Sequence, residues 1–267
     1  MRRLPPSKRE TASSLLADIP ENCSSLFLLN LKTSVVMVDD EHTPKFLSVT
    51  YPSTPPAIYF LYIQPDQVFM LKRFLKFLKH PTDLVISQEL VPAIKHYWPV
   101  KFSIPVLMLA AKKEIWQPEF SKDPHVRLLN QDDATALKET FATEDWLWDF
   151  FLTPEELISR GGAAAAFING KMACVVTTIA YTEKYCELGV ATRPEFRGRG
   201  LALECSRTLS AFQFERFGRL PCWRTQTGNI GSWKVAKRLG LEETTYSEKF
   251  IFLSNYKHVG AYAGVAP

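Results

Sequence analysis

Residues able to do chemistry gather in one stretch, Glu195–Glu204 (EFRGRGLALE), between a strand-like run and a long helix-like run. Glycines in such a turn let backbone N–H groups point inward, and the free amides opening a helix meet an anion with the helix dipole behind them. Arg197 and Arg199 add charge, so these are the residues of a pyrophosphate cradle. A lone glycine-rich turn would be weak evidence, but Arg197, Gly200 and Ala202 fit the more specific spacing R-x-x-G-x-G/A. Downstream, GNIGSWKVAKRLGLEE sets Ser232 and Gly240 three and eleven residues after Asn229. Upstream, Glu187 sits on the run leading to the cradle, among Cys186, Leu188 and Val190. A carboxylate there is costly unless exposed or paired. Desolvated, it suits a general base that takes a proton from an ammonium near neutral pH. The alternatives are a rim position, or a partner such as Lys184 or Arg224. A further stretch, TEDWLWDFFLTPEE (143–156), interleaves Trp146, Trp148, Phe150 and Phe151 with carboxylates. Aromatic faces and acids together suit a cationic amine, while a plain core with solvated acids explains the same pattern.

Together, LGVATRPEFRGRGLA and N-x-x-S-x(7)-G-L resemble the GNAT superfamily of acyl-CoA-dependent N-acyltransferases, over about the 140 residues from His125 onward. The runs CELGVAT, RGRGLA and CWRTQTGNIGSWKVAKRLG look like the bacterial subgroup that includes antibiotic-modifying members. The resemblance implies acetyl-CoA as cosubstrate and no metal. Val190, Ala191 and Thr192 would offer backbone groups to the pantetheine arm as an added strand would. Arg197, Gly198, Arg199, Gly200, Leu201 and Ala202 would wrap the pyrophosphate, and Asn229 would hold the arm from the other side or simply cap a helix. Many family members carry a tyrosine seven residues after that asparagine to protonate the leaving thiolate; here the position is Ala236. Ser232 could donate instead. The implied activity is N-acetyl transfer to a primary amine of a small molecule or peptide. A non-catalytic acyl-CoA sensor and an enzyme acting on protein N-termini or lysines are the alternatives.

The elements that must position these residues follow from periodicity. Strands are expected at Ala163–Ile168 and Met172–Tyr181, joined by Asn169-Gly170, a strong hairpin signal. A strand Cys186–Thr192, a helix Gly200–Phe217, a strand Pro221–Gln226, a helix Ile230–Leu239 and a closing strand Thr244–Leu253 complete the second half, a mixed α/β sheet. Lys112–Pro124 has no clear period, so domains are expected at 1–124 and 125–267. In the first half, a helix at Ser7–Asp18 precedes strand-like runs at Leu26–Asn30, Val35–Val38, Phe46–Tyr51 and Ala57–Ile63. Val68, Leu71, Leu75 and Leu78 then mark one helix face. Compared with Cys186–Leu253, Ala57–Ala111 runs strand, helix, strand, helix, strand, with Pro65-Asp66 where Pro194-Glu195 stands. No glycine follows from Pro65 to Leu78, so this half reads as a degenerate GNAT-like lobe or as an unrelated α/β unit.

Composition narrows the classes. With 46% hydrophobic and 22% charged residues, the chain is globular rather than disordered. Its longest apolar run, Ile104–Ala111, is far short of the roughly 20 residues a membrane helix needs. No apolar stretch follows the basic N-terminus, so no secretory signal is expected. Five cysteines without a CxxC pair point to a reducing cytoplasm rather than to disulfides or zinc. A net charge of +4 does not by itself imply nucleic acid. Its distribution says more: Arg193–Arg238 holds ten basic residues against three acidic ones, suiting an anionic cosubstrate.

Overall fold

A computed structural model describes residues 1–51, 57–76, 82–97, 102–244 and 248–252. It divides into two compact units, each a mixed sheet with helices. Among the described residues no helix is long and apolar enough to cross a membrane.

The first unit runs from Met1 to Leu107 and takes in the late strand Glu248–Phe252. Its elements are β1 (Arg2–Arg3), α1 (Glu10–Ser13), α2 (Cys23–Asn30), β2 (Val35–Val38), β3 (Phe46–Thr50) and β4 (Ala57–Ile63). Then come α3 (Met70–Leu75), β5 (Thr82–Ser87), α4 (Val91–Tyr97) and the first six residues of β6 (Phe102–Ala110), whose last three belong to the second unit. Strands β2, β3 and β4 form an antiparallel meander, and β4 pairs β5 in parallel. Phe46, Leu71, Phe74, Leu84 and Ile94 anchor the core, so Leu71 and Leu75 do face inward from α3 as their spacing predicts. Leu78 lies outside the described residues.

Three expectations are corrected here. The run Leu26–Asn30 is helix, not strand: α2 buries Cys23, Phe27, Leu28 and Leu29 together, and a short apolar run does not by itself separate a buried helix from a buried strand. The expected helix Ser7–Asp18 shrinks to a 3₁₀ turn, Pro6–Lys8, and the single turn of α1. Finally, the strand Glu248–Phe252 joins β5 and β6 of the first unit rather than closing the second. Its pattern marks a strand but carries nothing about which sheet it enters.

The second unit starts at Met108, so the expected boundary near residue 124 falls inside it. Residues 112–124 are tied down by side chains rather than by regular structure. The Trp116 indole donates to the Leu239 carbonyl at 3.0 Å, and Ser121 Oγ donates to Glu204 at 2.7 Å. The unit holds β7 (Val126–Leu128), α5 (Ala134–Thr140), α6 (Pro154–Arg160), β8 (Ala163–Ile168), β9 (Lys171–Tyr181) and β10 (Tyr185–Thr192). It continues with α7 (Leu201–Phe217), β11 (Leu220–Gln226), α8 (Ile230–Arg238) and β12 (Glu242–Glu243). In its sheet β11, β10, β9, β8 and β7 lie side by side, antiparallel except for β10 with β11. Asn169 and Gly170 both adopt positive φ, 51° and 74°, as a tight β8–β9 turn demands.

Candidate active site

The site begins where two parallel strands part. Strand β10 pairs β11 only at Tyr185–Leu220, Cys186–Pro221 and Glu187–Cys222. On its other side β10 stays paired to β9 as far as Thr192–Cys174, with a bulge in β9 opposite the Glu187–Leu188 step. Beyond Glu187, then, one edge of β10 faces away from any paired strand, and Val190, Ala191 and Thr192, all half-buried, line that edge. A sheet edge of this kind accepts an extended ligand as if it were a strand. The Thr192 hydroxyl proton is already donated to Cys174 Sγ at 3.1 Å, so the donor that Thr192 can offer there is its backbone N–H. On that same side Cys205 is buried in α7, where its hydrogen bond with Cys174, together with burial, pushes its thiol well above the ordinary range.

After β10 a 3₁₀ turn, Pro194–Phe196, leads into Arg197-Gly198-Arg199-Gly200 and then α7. Gly198 and Gly200 sit at φ 77° and 80°, and a Cβ on either would meet nothing within 4 Å. The glycines are therefore needed for conformation, and the space in front of them is open. Helix α7 has no side-chain N-cap; Leu203 and Glu204 make the first bonds back to the Gly200 carbonyl. The amides of Leu201 and Ala202 precede those bonds at the positive end of a helix of 17 residues. Leu201 turns its side chain into the core, so only its N–H is on offer. Arg197 Nε donates to the Thr192 carbonyl at 3.2 Å and Arg199 to the Glu195 carbonyl at 3.4 Å, while both residues stay exposed. The backbone thus aims amides outward with two guanidinium groups beside them, which fits a pyrophosphate.

Glu187 is buried but not isolated. Its Oε1 lies 3.5 Å from Arg224 Nη1, with side chains 5% and 7% exposed. Parallel pairing of Glu187 with Cys222 brings Arg224, two residues on, to the same face. By the same alternation Gly189 shares that face, and a Cβ there would come within 2.8 Å of Trp146 Cζ3 and 2.5 Å of Ile179 Cδ1. The indole therefore lies against the strand backbone. Of the other aromatics in 143–156, Trp148 and Phe151 are core residues. Phe151 stacks on Tyr181 with ring centroids 6.4 Å apart. Glu155 is exposed and Glu156 is paired with Arg160, and Trp146 reaches β10 at Gly189.

On the opposite face of β11, the Trp223 indole donates to Ser232 Oγ at 2.8 Å. That bond uses an acceptor lone pair and leaves the hydroxyl proton free to be donated elsewhere. Asn229 caps α8, its Oδ1 accepting from the Ser232 amide at 3.1 Å, which leaves its Nδ2 for another partner. Ala236 is fully buried. Sequence reasoning missed Trp223, whose only signal was its place one residue before Arg224 on an alternating strand.

A family model described as GNAT acetyltransferase matches residues 105–248, more than half of the chain. The chain belongs to the GNAT acetyltransferase family. A curated relative, an uncharacterized N-acetyltransferase in the mutA 5′ region of Streptomyces virginiae, is 37% identical over 87 residues; the match covers 32% of this chain and 37% of that protein. The chain thus matches little more than a third of that relative's length. Among solved structures, a GCN5-related N-acetyltransferase-like protein from Streptococcus suis superposes with a TM-score of 0.68 at 20% identity, over 92% of this chain and 98% of the other. A tandem GNAT protein from the clavulanic acid biosynthesis pathway gives 0.61 at 12% identity, over 93% and 96%. At these identities the likeness is one of fold, and it spans both units.

Proposed function

We propose that this GNAT chain transfers an acetyl group from acetyl-CoA directly to a primary amine of a small molecule or peptide. One observation carries the reading: an open pair of positive-φ glycines and an uncapped helix start stand directly beside the parted edge of β10. Acetyl-CoA supplies the thioester. Residues 197–202 hold its pyrophosphate through backbone amides and two arginines, and Val190–Thr192 hold the arm along the strand edge. Asn229 Nδ2 steadies the arm from α8. Backbone N–H groups of the same edge face the thioester carbonyl and stabilise the oxyanion that develops on it. Glu187 takes the proton from the incoming ammonium, with Arg224 fixing its carboxylate in place. Ser232, oriented by Trp223, gives a hydrogen bond to the departing sulfur. A coenzyme thiol resembles cysteine, whose pKa is ~8.5, so a hydrogen bond rather than a full acid suffices. With both reactants on one edge, much of the rate comes from proximity.

The test is purified protein with acetyl-CoA and a panel of amines, followed by free-thiol release and by mass spectrometry of the amine. Stoichiometric thiol and acetylated amine are expected. Acetyl-CoA bound with no transfer to any amine would favour a sensor instead.

A further inference from the structure

The face of the parted strands that carries Glu187 also carries two buried donors that have nothing to donate to. Gln226, two residues after Arg224 on the same face of β11, is 4% exposed, and its Nε2 has no partner among the described residues. The indole N–H of Trp146, the ring that lies against Gly189, is likewise buried without one. Three other indoles and one other buried glutamine of this unit do have partners. The indoles of Trp116, Trp223 and Trp233 donate at 3.0, 2.8 and 2.8 Å. The buried Gln213 donates to the Gly161 carbonyl and to Thr178 Oγ1. An unmet buried donor is costly and rare, and two on one face beside a reacting edge have a common explanation in a ligand. At ~3.3 Å per strand residue, Gly189 lies about 7 Å and Gln226 about 13 Å past the last β10–β11 pair. Gln226 and the Trp146 ring, which touches Gly189 through Cζ3, therefore both lie along the stretch beyond the last pair, where an amine must come to meet the thioester.

Resting on the transferase reading above, we infer that Trp146 and Gln226 donate hydrogen bonds to oxygen atoms of the acceptor. The acceptor is then a primary amine with a carboxylate or carbonyl oxygen close to its nitrogen, as in an amino acid or an amino amide, and not a bare alkylamine. Arg224 lies on the same face but is paired with Glu187, so the two donors select for the oxygen atom rather than for negative charge.

The measurement pairs amines that differ only in the group carrying that oxygen, a carboxylate or a carboxamide: phenylalanine with phenethylamine, lysine with cadaverine, and glycinamide with ethylamine. Calorimetry on CoA-saturated protein should show the oxygen-bearing member of at least one pair binding ten- to a hundredfold tighter, the scale for a site whose buried donors are otherwise left unmet. Gln226→Leu and Trp146→Phe should each remove most of that preference without changing CoA affinity or the melting temperature by more than a few degrees. Equal binding within every pair, binding by neither member, or a preference untouched by both variants overturns the inference. Thiol release on the same pairs separates the two readings. A binding preference with no transfer supports this recognition and counts against the transferase. Transfer without preference does the reverse.

Discussion

The two units run through the same local sequence of events and end differently. In the first, β4 pairs an antiparallel neighbour, is followed by the 3₁₀ turn Pro65–Gln67 and by α3, and pairs a parallel β5. In the second, β10 pairs antiparallel β9, is followed by the 3₁₀ turn Pro194–Phe196 and by α7, and pairs a parallel β11. Between turn and helix the first unit has Val68 and Phe69; the second has Arg197-Gly198-Arg199-Gly200. Helix α3 is six residues long against 17 for α7. A similar order of elements thus recurs with a different turn: Val68 and Phe69 stand where the second unit has its two positive-φ glycines.

The comparison breaks most readily at Gly200. Gly200→Asp sets a carboxylate where the pyrophosphate would lie and strains a position at φ 80°. Acetyl-CoA affinity by calorimetry should fall by at least about a hundredfold, with the circular dichroism spectrum unchanged because the site opens to solvent. Unchanged affinity would mean that the second unit is no more a cradle than the first.

Glu187→Gln comes next. Turnover should drop roughly 10²–10⁴-fold, the usual scale for a positioned acid–base group. Acetyl-CoA affinity should hardly move. Raising the pH should partly rescue the variant, since the amine then arrives unprotonated. Removing the charge opposite buried Arg224 should also cost roughly 3 kcal/mol, read as a lower melting temperature. Full turnover with the parent pH profile would make Glu187 a structural partner of Arg224 alone.

A smaller effect probes the frame of the second unit rather than its chemistry. Arg127 holds Asp133 through two 2.7 Å bonds, which with the Asn130 amide lower its carboxyl below the usual range. Asp133 also completes the capping box of the 3₁₀ turn Gln131–Asp133, which runs directly into α5. A carboxyl lowered on folding contributes stability above its unfolded pKa of ~3.9. That contribution is lost as pH falls through the lower folded value. Asp133→Asn should cost about 1 kcal/mol at pH 7, and the gap to the parent should close in acid. A gap that is constant from pH 7 to pH 3 would show that the charge has no part in it.

The glycine turn before α7 could be read in the sequence because it is local: glycine spacing and the strand before it are neighbours in the chain. The Asn169-Gly170 hairpin was visible for the same reason. What escaped was decided at a distance. Arg224 meets Glu187 only because two parallel strands are in register, and a sequence offers it as one partner among several. The strand Glu248–Phe252 shows its type but not its sheet. Leu26–Asn30 is apolar enough for either a strand or a helix, and only the packing of Phe27, Leu28 and Leu29 decides. The orphaned donors of Trp146 and Gln226 have no sequence signal at all, since being unpaired is a property of surroundings.

The most direct test of two like frames with one site is the number of acetyl-CoA molecules bound per chain. Calorimetric titration of the full chain should give a stoichiometry of one, and the Gly200→Asp variant should bind none. A stoichiometry of two, or one that survives in the variant, would place acetyl-CoA in the first unit and contradict the assignment of the site to residues 190–202.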